Sequence, residues 1–542
     1  MTVPIDHLVA APILLPLLAS AFMLLFSERR RKLKRIISLG TALALVAVAA
    51  TLMVRISGAD APLPAYHLGN WPAPYGIVLV ADRLSAVMLL LASLLGLAAL
   101  FYALARWDKA GPRFHPLFLL LMMGVNGAFL TGDLFNLFVF FEVMLAASYG
   151  LALHGAGVRR TKASLHYVTI NIATSLLFLI GIALIYSVTG TLNMADLALR
   201  VPVLAGRDLV LMESGAAILS LAFFVKAGMW PVGFWLVPTY ANAAAPVAAV
   251  FAIMSKVGIY ALLRLNALIF GPQSGMAAGF ASDWLLVMGL GTMAFGTIAM
   301  LAASRLTAIA GAYVMISSGT LLAAIGTGGT VTLAGALFYL VSSTLGVCAM
   351  YLLIEPVERA ADLRRDEGGQ QVEPVFEDDD PDPFLTQDDD EDEEDEIGVV
   401  IPATIAIMGS AFILVSLLMA GMPPLSGFLA KFAIIDGMLQ GAPVISGGNW
   451  AVIGCILVSG LVTLVAMTRA GITLLWVPAE RPRAHLRLLE ALPIGTLLAL
   501  CLALVLFAGP VTRYMGATAA ALHDRSVYIV AVLGAAEGEA RE

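Results

Sequence analysis

Long apolar runs separated by short polar segments dominate this chain of 542 residues. A helix of about 20 apolar residues crosses the hydrocarbon core of a bilayer. Fourteen runs reach or approach that length, and we predict membrane-spanning helices at 8–27, 36–54, 77–105, 115–131, 134–153, 166–188, 213–236, 246–270, 282–302, 305–325, 331–354, 400–438, 450–476 and 490–508. The apolar stretch 527–534 is too short to span a bilayer, so we assign it to a C-terminal tail.

Composition narrows the class of protein further. Hydrophobic residues make up 60% of the chain and charged residues 13%, whereas soluble domains contain about 45–50% and about 25%. These values exclude a soluble enzyme and a nucleic-acid-binding protein. Cys348, Cys455 and Cys501 lie within apolar runs and lack the spacing of metal ligands. We therefore expect no disulfide framework, no metal site and no other cofactor.

The formal net charge of −7 divides into regions of opposite sign. The segment Glu355–Glu396 contains 20 acidic and 3 basic residues, and the rest of the chain carries a balance of +10. Basic clusters occur at 28–35, 106–113, 154–165 and 477–489. If the chain crosses the membrane at each of the fourteen predicted spans, all four clusters lie on the same side of the membrane. Because positively charged loops stay in the cytoplasm, we predict that this side is cytoplasmic and that both termini are outside.

The acidic segment also falls on the predicted cytoplasmic side. Like charge at this density prevents collapse, so we predict that the insert 355–399 is disordered. It could dock a partner or concentrate cations, but the sequence favours a solvated loop that the fold tolerates.

Four ionisable residues lie near the middle of predicted spans: Glu142, Lys226, Lys256 and Lys431. Each costs about 2.5–3.5 kcal/mol at the centre of a bilayer, so a functional role is the first expectation for such residues. Structural alternatives exist. Glu142 and Lys226 could form an ion pair that only holds two helices together. Lys256 could extend toward a membrane surface, and Lys431 could lie at the end of a shorter helix.

Glycine and proline interrupt two spans beside these lysines, in KAGMWP (226–231) and AGMPPLSG (420–427). Proline removes a backbone donor and clashes with the preceding turn, so we predict a break in both helices. Broken backbone at membrane depth is tolerated where it faces protein or water, and a matched pair indicates an ion path between inverted repeats. The residues of these breaks are Gly228, Pro231, Pro423, Pro424 and Gly427.

These residues suggest a proton relay. A carboxylate beside a buried lysine stabilises its charged form, so the separation between Glu142 and Lys226 would control whether Lys226 keeps its proton. Movement of either partner would then pass a proton through water to Lys256 and on to Lys431.

Five segments resemble the antiporter-like subunits shared by respiratory complex I, membrane-bound hydrogenases and Mrp-type cation/proton antiporters. They are ADRLSAVMLLL (81–91), TGDLFNLFVFFEVMLAASYG (131–150), KAGMWPVGFWLVP (226–238), MSKVGIYALLR (254–264) and AGMPPLSGFLAKF (420–432). The resemblance is greatest to the D-type subunits of Mrp-, Mnh- or Pha-type multisubunit antiporters.

The resemblance implies an all-α membrane protein of about fourteen helices with two inverted five-helix repeats. Three helices would occupy 1–114, the first repeat 115–270 and the second repeat 282–476, with the last helix and a tail in 477–542. It implies proton translocation by Glu142, Lys226, Lys256 and Lys431. It also implies other subunits as partners and Na⁺ or K⁺ as the exchanged cation, in a bacterial inner membrane. The chain would be part of a secondary transporter and not an enzyme.

The chain departs from complex I relatives in the middle of the relay. Those relatives usually carry histidine or lysine where this chain has Gly233, Ser318, Ser342 and Val347. Hydroxyl groups and water would then replace ionisable groups in the central path. Two alternatives remain: an antiporter-like subunit of a redox-driven pump, such as complex I or a hydrogenase, and a structural membrane scaffold.

Overall fold

The computed structural model is a bundle of helices with one small hairpin, and it describes residues 5–58, 63–365, 403–440, 445–475 and 486–534. The hairpin pairs β1 (Ala65–His67) with β2 (Val78–Val80) in antiparallel register. The helices are α1 (Ile5–Leu24), α2 (Arg31–Ile56), α3 (Arg83–Ala103), α4 (Phe114–Leu130), α5 (Leu134–Ala152), α6 (Val158–Thr189), α7 (Met194–Arg200), α8 (Gly206–Lys226), α9 (Leu236–Asn242), α10 (Ala245–Leu268), α11 (Ser282–Ala302), α12 (Leu306–Gly326), α13 (Thr330–Arg365), α14 (Ala403–Ala420), α15 (Ser426–Gln440), α16 (Gly447–Leu475), α17 (Leu488–Leu506), α18 (Ala508–His523) and α19 (Arg525–Leu533).

The all-α membrane class predicted from the sequence is confirmed. Within the described ranges, thirteen helices are long and apolar enough to cross a bilayer. The apolar helix α4, at the predicted span 115–131, is slightly shorter, with 17 residues. The two spans that contain the Gly-Pro segments are each divided in two, as predicted: α8 is followed by α9, and α14 is followed by α15.

Hydrogen bonds between loops show which ends of the helices lie on the same side of the bundle. On one side, Arg35 pairs with Asp108, His154 binds the carbonyl of Trp107, and Arg487 donates to the carbonyl of Ala105. We call this side the basic face, because the structure brings together here loops that carry the predicted basic clusters.

The other side contains the β1–β2 hairpin, and we call it the hairpin face. Bridges join Leu79 to Thr131 and Asp133 to Asn193 there. Arg525 at the start of α19 donates to the carbonyl of Ala198 in α7. The series α4–α10 therefore begins at the basic face, whereas the series α11–α16 begins at the hairpin face, so the two run in opposite directions.

Helices α10, α12 and α13 form the interior of the bundle. The most apolar stretch of α10 is entirely buried, and those of α12 and α13 are 94% buried. Polar side chains on these helices are therefore shielded by protein. In contrast, α2, α11 and α17 present most of their surface outward, as expected for helices that face lipid or a neighbouring chain.

Two details of the sequence prediction were wrong. The span predicted to begin at residue 77 starts with the extended strand β2. The prediction failed here because an apolar run alone does not distinguish a strand from a helix. The predicted insert begins as helix: α13 continues to Arg365 because Trp107 donates to Glu355 at 2.7 Å and Arg359 pairs with the buried Glu490. The predicted tail contains α18 and α19, which pack against the bundle. The remainder of the insert, 366–399, lies outside the described residues.

Candidate functional site

The same local structure terminates both broken helices. In each, the sequence Ala-Gly-Met follows the last helical turns, and Gly228 and Gly421 adopt the left-handed backbone conformation, with φ of 70° and 78°. The next residue then donates its N–H five residues back: Met229 to the carbonyl of Phe224, and Met422 to that of Leu417, each at 2.9 Å. This is the Schellman motif, which requires a residue that tolerates positive φ and therefore favours glycine.

The prolines of the two segments keep the chain from resuming a helix at once, and the remaining glycine allows the two halves of the second broken helix to approach each other. Pro231 lies between α8 and α9, and Pro423 and Pro424 lie between α14 and α15. Gly427 is in the first turn of α15, where an added Cβ would collide with the carbonyl oxygen of Leu418. The end of α14 and the start of α15 are thus in direct backbone contact.

Lys431 binds the exposed end of α14. Its Nζ donates to the carbonyl of Ala420 at 2.8 Å and to that of Met419 at 3.3 Å. These carbonyls have no partner within the helix, and the helix dipole places partial negative charge there. The side chain is buried, so Lys431 does not lie at a solvated helix end.

Lys226 is the last residue of α8 and faces Glu142 in the middle of α5. Its Nζ lies 4.0 Å from a carboxylate oxygen of Glu142 and 5.1 Å from the ring centre of Phe141. The Lys226 side chain is 3% exposed, whereas that of Glu142 is 39% exposed. Ser175 in α6 donates a short hydrogen bond to the same carboxylate oxygen. Glu142 therefore links the interior of the bundle to its outer surface at membrane depth.

The break in α8 also contacts α10 next to Lys256. A Cβ added to Gly258 would lie 3.1 Å from Ala227 Cβ and 3.1 Å from the carbonyl of Phe223. The absence of a side chain at Gly258 thus allows α10 to approach the break closely. Since Lys226 precedes Ala227 and Lys256 is two residues before Gly258, the two lysines occupy neighbouring parts of this contact.

Lys256 is bound by hydroxyl groups. Its Nζ donates to Ser317 at 2.9 Å and to Ser318 at 3.0 Å, both on α12. The Ser317 hydroxyl donates to Ser343 on α13 at 2.9 Å. Because Lys256 is 2% exposed and bonded within the protein, its charge does not reach the membrane surface.

A second hydroxyl pair extends from α13 to α15. Ser342 and Ser426 share a hydrogen bond of 2.8 Å. Ser342 adjoins Ser343 in sequence, and Ser426 begins the helix that carries Lys431. The predicted residues are thereby brought into one row across the bundle. Among the counterparts of the missing ionisable groups, Ser318 and Ser342 belong to the row, whereas the apolar Val347 is buried in the core.

Sequence analysis missed Ser175, Ser317, Ser343 and Ser426. The sequence does contain a feature that indicates Ser317 and Ser343, because each belongs to a pair of adjacent serines inside an apolar run: Ser317–Ser318 and Ser342–Ser343. Adjacent residues of a helix point about 100° apart, so one serine of such a pair can bind one neighbour while the other binds the next.

The all-α membrane bundle has two oppositely directed helix series, two broken helices and a row of charged residues inside it. These features define the class of ion-translocating transporter subunits. The family model described as "NADH:quinone oxidoreductase/Mrp antiporter, TM" matches residues 131–376. The probable K(+)/H(+) antiporter D-type subunit of Rhizobium meliloti (strain 1021) is 50% identical over 529 residues, covering 96% of both chains. The Na(+)/H(+) antiporter D-type subunit of Alkalihalophilus pseudofirmus is 33% identical over 537 residues, covering 97% of this chain and 99% of the relative.

Solved structures show the same similarity. A chain in the structure of the Mrp complex from Dietzia sp. DQ12-45-1b is 26% identical, has a TM-score of 0.82 and aligns over 98% of this chain and 100% of that one. A chain of respiratory complex I from Thermus thermophilus has a TM-score of 0.73 at 19% identity and shares the fold. The alignment covers 96% of this chain and 99% of that one. The protein belongs to the family of D-type subunits of Mrp-type cation/proton antiporters, and it works within a multisubunit membrane complex.

Proposed function

We propose that this chain is the subunit that conducts protons in its antiporter complex, along the row Glu142, Lys226, Lys256 and Lys431. The observation that carries the proposal is the alignment of the four residues, with serine hydroxyls between the last two lysines. A glutamate–lysine pair lies at one break, serine hydroxyls bind the central lysine, and the last lysine binds the other break. Ionisable residues inside a membrane are expensive, and four of them in one row exceed what helix packing needs.

Glu142 and Lys226 provide the element that changes state. At 4.0 Å the carboxylate stabilises the ammonium group. If Glu142 moves away or takes up a proton, Lys226 loses that support and can pass its proton toward Lys256. Hydroxyl groups both donate and accept hydrogen bonds, so Ser317, Ser343 and their neighbours can hand the proton across the centre without carrying a charge at rest.

The two breaks support an assignment of 115–270 and 282–476 as inverted repeats, with 1–114 before them and 477–542 after them. The matched Ala-Gly-Met ends and the opposite helix directions are what such repeats would produce. By the positive-inside rule, the basic face would be cytoplasmic and both termini would be outside a bacterial inner membrane. The exchanged cation would be K⁺ or Na⁺, as in the names of the relatives.

Membership of a redox-driven pump is the alternative for the complex. It is supported by the shared fold with complex I at 19% identity, whereas the relatives at 50% and 33% identity are antiporter subunits. In this alternative, proton flux would require an electron donor and acceptor and not a cation gradient.

The test is cation-dependent proton flux in inverted membrane vesicles from an antiporter-deficient host that expresses the complete set of subunits. We expect Glu142→Gln to lower the initial rate with K⁺ or Na⁺ at least about tenfold, equivalent to about 1.4 kcal/mol, while the complex still assembles. Asp133→Asn is the matched control, because Asp133 caps the same helix at the hairpin face and asparagine is also a good cap. An unchanged rate in Glu142→Gln would contradict the proposal, and loss of assembly would support a scaffold.

A further inference from the structure

A polar stripe on α10 connects Lys256 to the hairpin face. Lys256, Tyr260 and Arg264 are spaced four residues apart and therefore lie on one side of the helix. All three are buried. Four residues advance the helix by about 6 Å, so the three residues follow one another along α10 toward the hairpin face.

The Tyr260 hydroxyl is the central group of this stripe. It donates to the carbonyl of Phe129 at 2.6 Å and accepts from the Arg264 guanidinium at 3.0 Å. Arg264 in turn binds both carboxylate oxygens of Asp82, one of them at 2.8 Å. Asp82 belongs to the segment ADRLSAVMLLL and caps α3 by accepting from the N–H of Ser85. The stripe thus ends on a carboxylate at the start of a helix.

A cavity of about 420 Å³ covers this carboxylate. It lies at the hairpin face among the ends of α2, α3 and α10 and the helices α18 and α19. Apolar side chains form most of its wall, and the charged residues in the lining include Asp82, Arg264 and Asp524. Tyr528 of α19 also lines it and places its ring 5.3 Å from the Arg264 guanidinium. Burial alone would raise the pKa of Asp82, but Arg264 and the hydrogen bonds at the helix start hold it below its usual value.

We propose that Tyr260, held by the Arg264–Asp82 pair, links Lys256 to this cavity and forms the branch through which the relay exchanges protons with the hairpin face. The inference rests on the proposed function of the row. In one transfer, the phenol oxygen accepts a proton that originates at Lys256, through intervening water, and its own O–H bond breaks as that hydrogen passes through further water to the cavity. One proton moves and the phenol is regenerated. Arg264 is a positioning residue, because it binds both the Tyr260 hydroxyl and the Asp82 carboxylate.

The first test is Tyr260→Phe in the complete complex, measured by cation-dependent proton flux. We expect the rate to fall about tenfold, because phenylalanine keeps the ring and lacks the hydroxyl. Tyr514→Phe is the matched control, since its phenol also donates to a backbone carbonyl near the hairpin face, that of Arg83. Lys256→Ala is measured alongside. If Lys256→Ala abolishes flux and Tyr260→Phe leaves it unchanged, the branch is wrong and the row stands; if both are unchanged, the proposed function fails.

A second test examines the cavity without disturbing the fold. A cysteine introduced at Ala521, which lines the cavity, is labelled in the purified complex with a bulky hydrophilic thiol reagent before reconstitution into vesicles. We expect labelling to lower flux several-fold relative to the same protein before labelling. Val530→Cys is the matched control, because Val530 is exposed on α19 and does not line the cavity. This variant should retain its rate when it is labelled. An Ala521→Cys protein that cannot be labelled, or that keeps its rate after labelling, would overturn the inference.

Discussion

Serine hydroxyls replace ionisable side chains at the centre of this protein. Ser317 accepts from Lys256 and donates to Ser343, so its single hydroxyl joins α10, α12 and α13. Ser342 and Ser426 repeat the arrangement between α13 and α15. A hydroxyl has one donor and two acceptor positions, so its oxygen can accept a proton while its own hydrogen passes to the next acceptor, and rotation then restores the starting orientation. The row can therefore be polar throughout while it contains few charges.

Ser317→Ala should slow cation-dependent proton flux about tenfold or more. The substitution removes a hydrogen bond to a charged group, worth about 1.5–3 kcal/mol. It also removes the hydroxyl that joins Lys256 to Ser343 through two hydrogen bonds. Thr344→Val is the control, because the hydroxyl of Thr344 donates to the carbonyl of Leu340 in its own helix. Equal rates in Ser317→Ala and wild type would show that protons cross the centre by another route.

At the scale of single residues, the sequence was sufficient to locate the charges and to suggest the pair of Glu142 with Lys226, but not the serine partners of Lys256. Glu142, Lys226, Lys256 and Lys431 stand out because ionisable residues are rare inside apolar runs. The contact between Lys256 and Ser317 joins residues 61 positions apart. It depends on the rotation of α10 relative to α12, which one sequence does not specify.

The two broken helices position the lysines at opposite ends of the row. Each break begins with a glycine at positive φ, where an L-residue costs about 1–2 kcal/mol. Gly421 is doubly constrained, because an added Cβ would lie 2.6 Å from Cδ of Lys431 and 3.0 Å from its Nζ. A methyl group here would displace Lys431 from the carbonyls of Met419 and Ala420.

Gly421→Ala should therefore lower both the thermal stability of the complex and its proton flux. Gly409→Ala is a control on the same helix, since an added Cβ there has no neighbour within 4 Å and alanine favours helix by about 1 kcal/mol. Thermal unfolding followed in detergent and flux in vesicles would be measured for both variants. Wild-type behaviour of Gly421→Ala would mean that the break is more adaptable than its geometry indicates.

The elements of the fold were predictable where local chemistry decides them. Proline and glycine break α8 and α14 wherever these helices pack, so both breaks could be located from the sequence. The predicted disordered insert starts too early, because residues 355–365, which contain three acidic and three basic residues, adjoin the strongly acidic run that follows. Trp107 and Glu490, which are distant in sequence, hold residues 355–365 as helix. The hairpin strand Val78–Val80 was likewise hidden in an apolar run.

At the scale of the whole molecule, the row passes from one helix series into the other. It starts on α5 and α8, crosses the buried helices α10, α12 and α13, and ends on α15. The branch along α10 leads from its centre toward the hairpin face. We expect the members of this series relay to act as one unit, in which the charge of each lysine depends on its neighbours. Every member is therefore required for flux through the branch as well as along the row.

The most direct measurement is therefore proton flux through the assembled complex with each lysine removed separately. Lys226→Ala, Lys256→Ala and Lys431→Ala should each reduce cation-dependent flux to the background of vesicles without the complex. A double substitution should lower it no further, because groups that act as one unit are not additive. Lys109→Ala, at an exposed loop position, serves as the control and should retain wild-type flux. If any one of the three single variants assembles and keeps its flux, the series relay is contradicted.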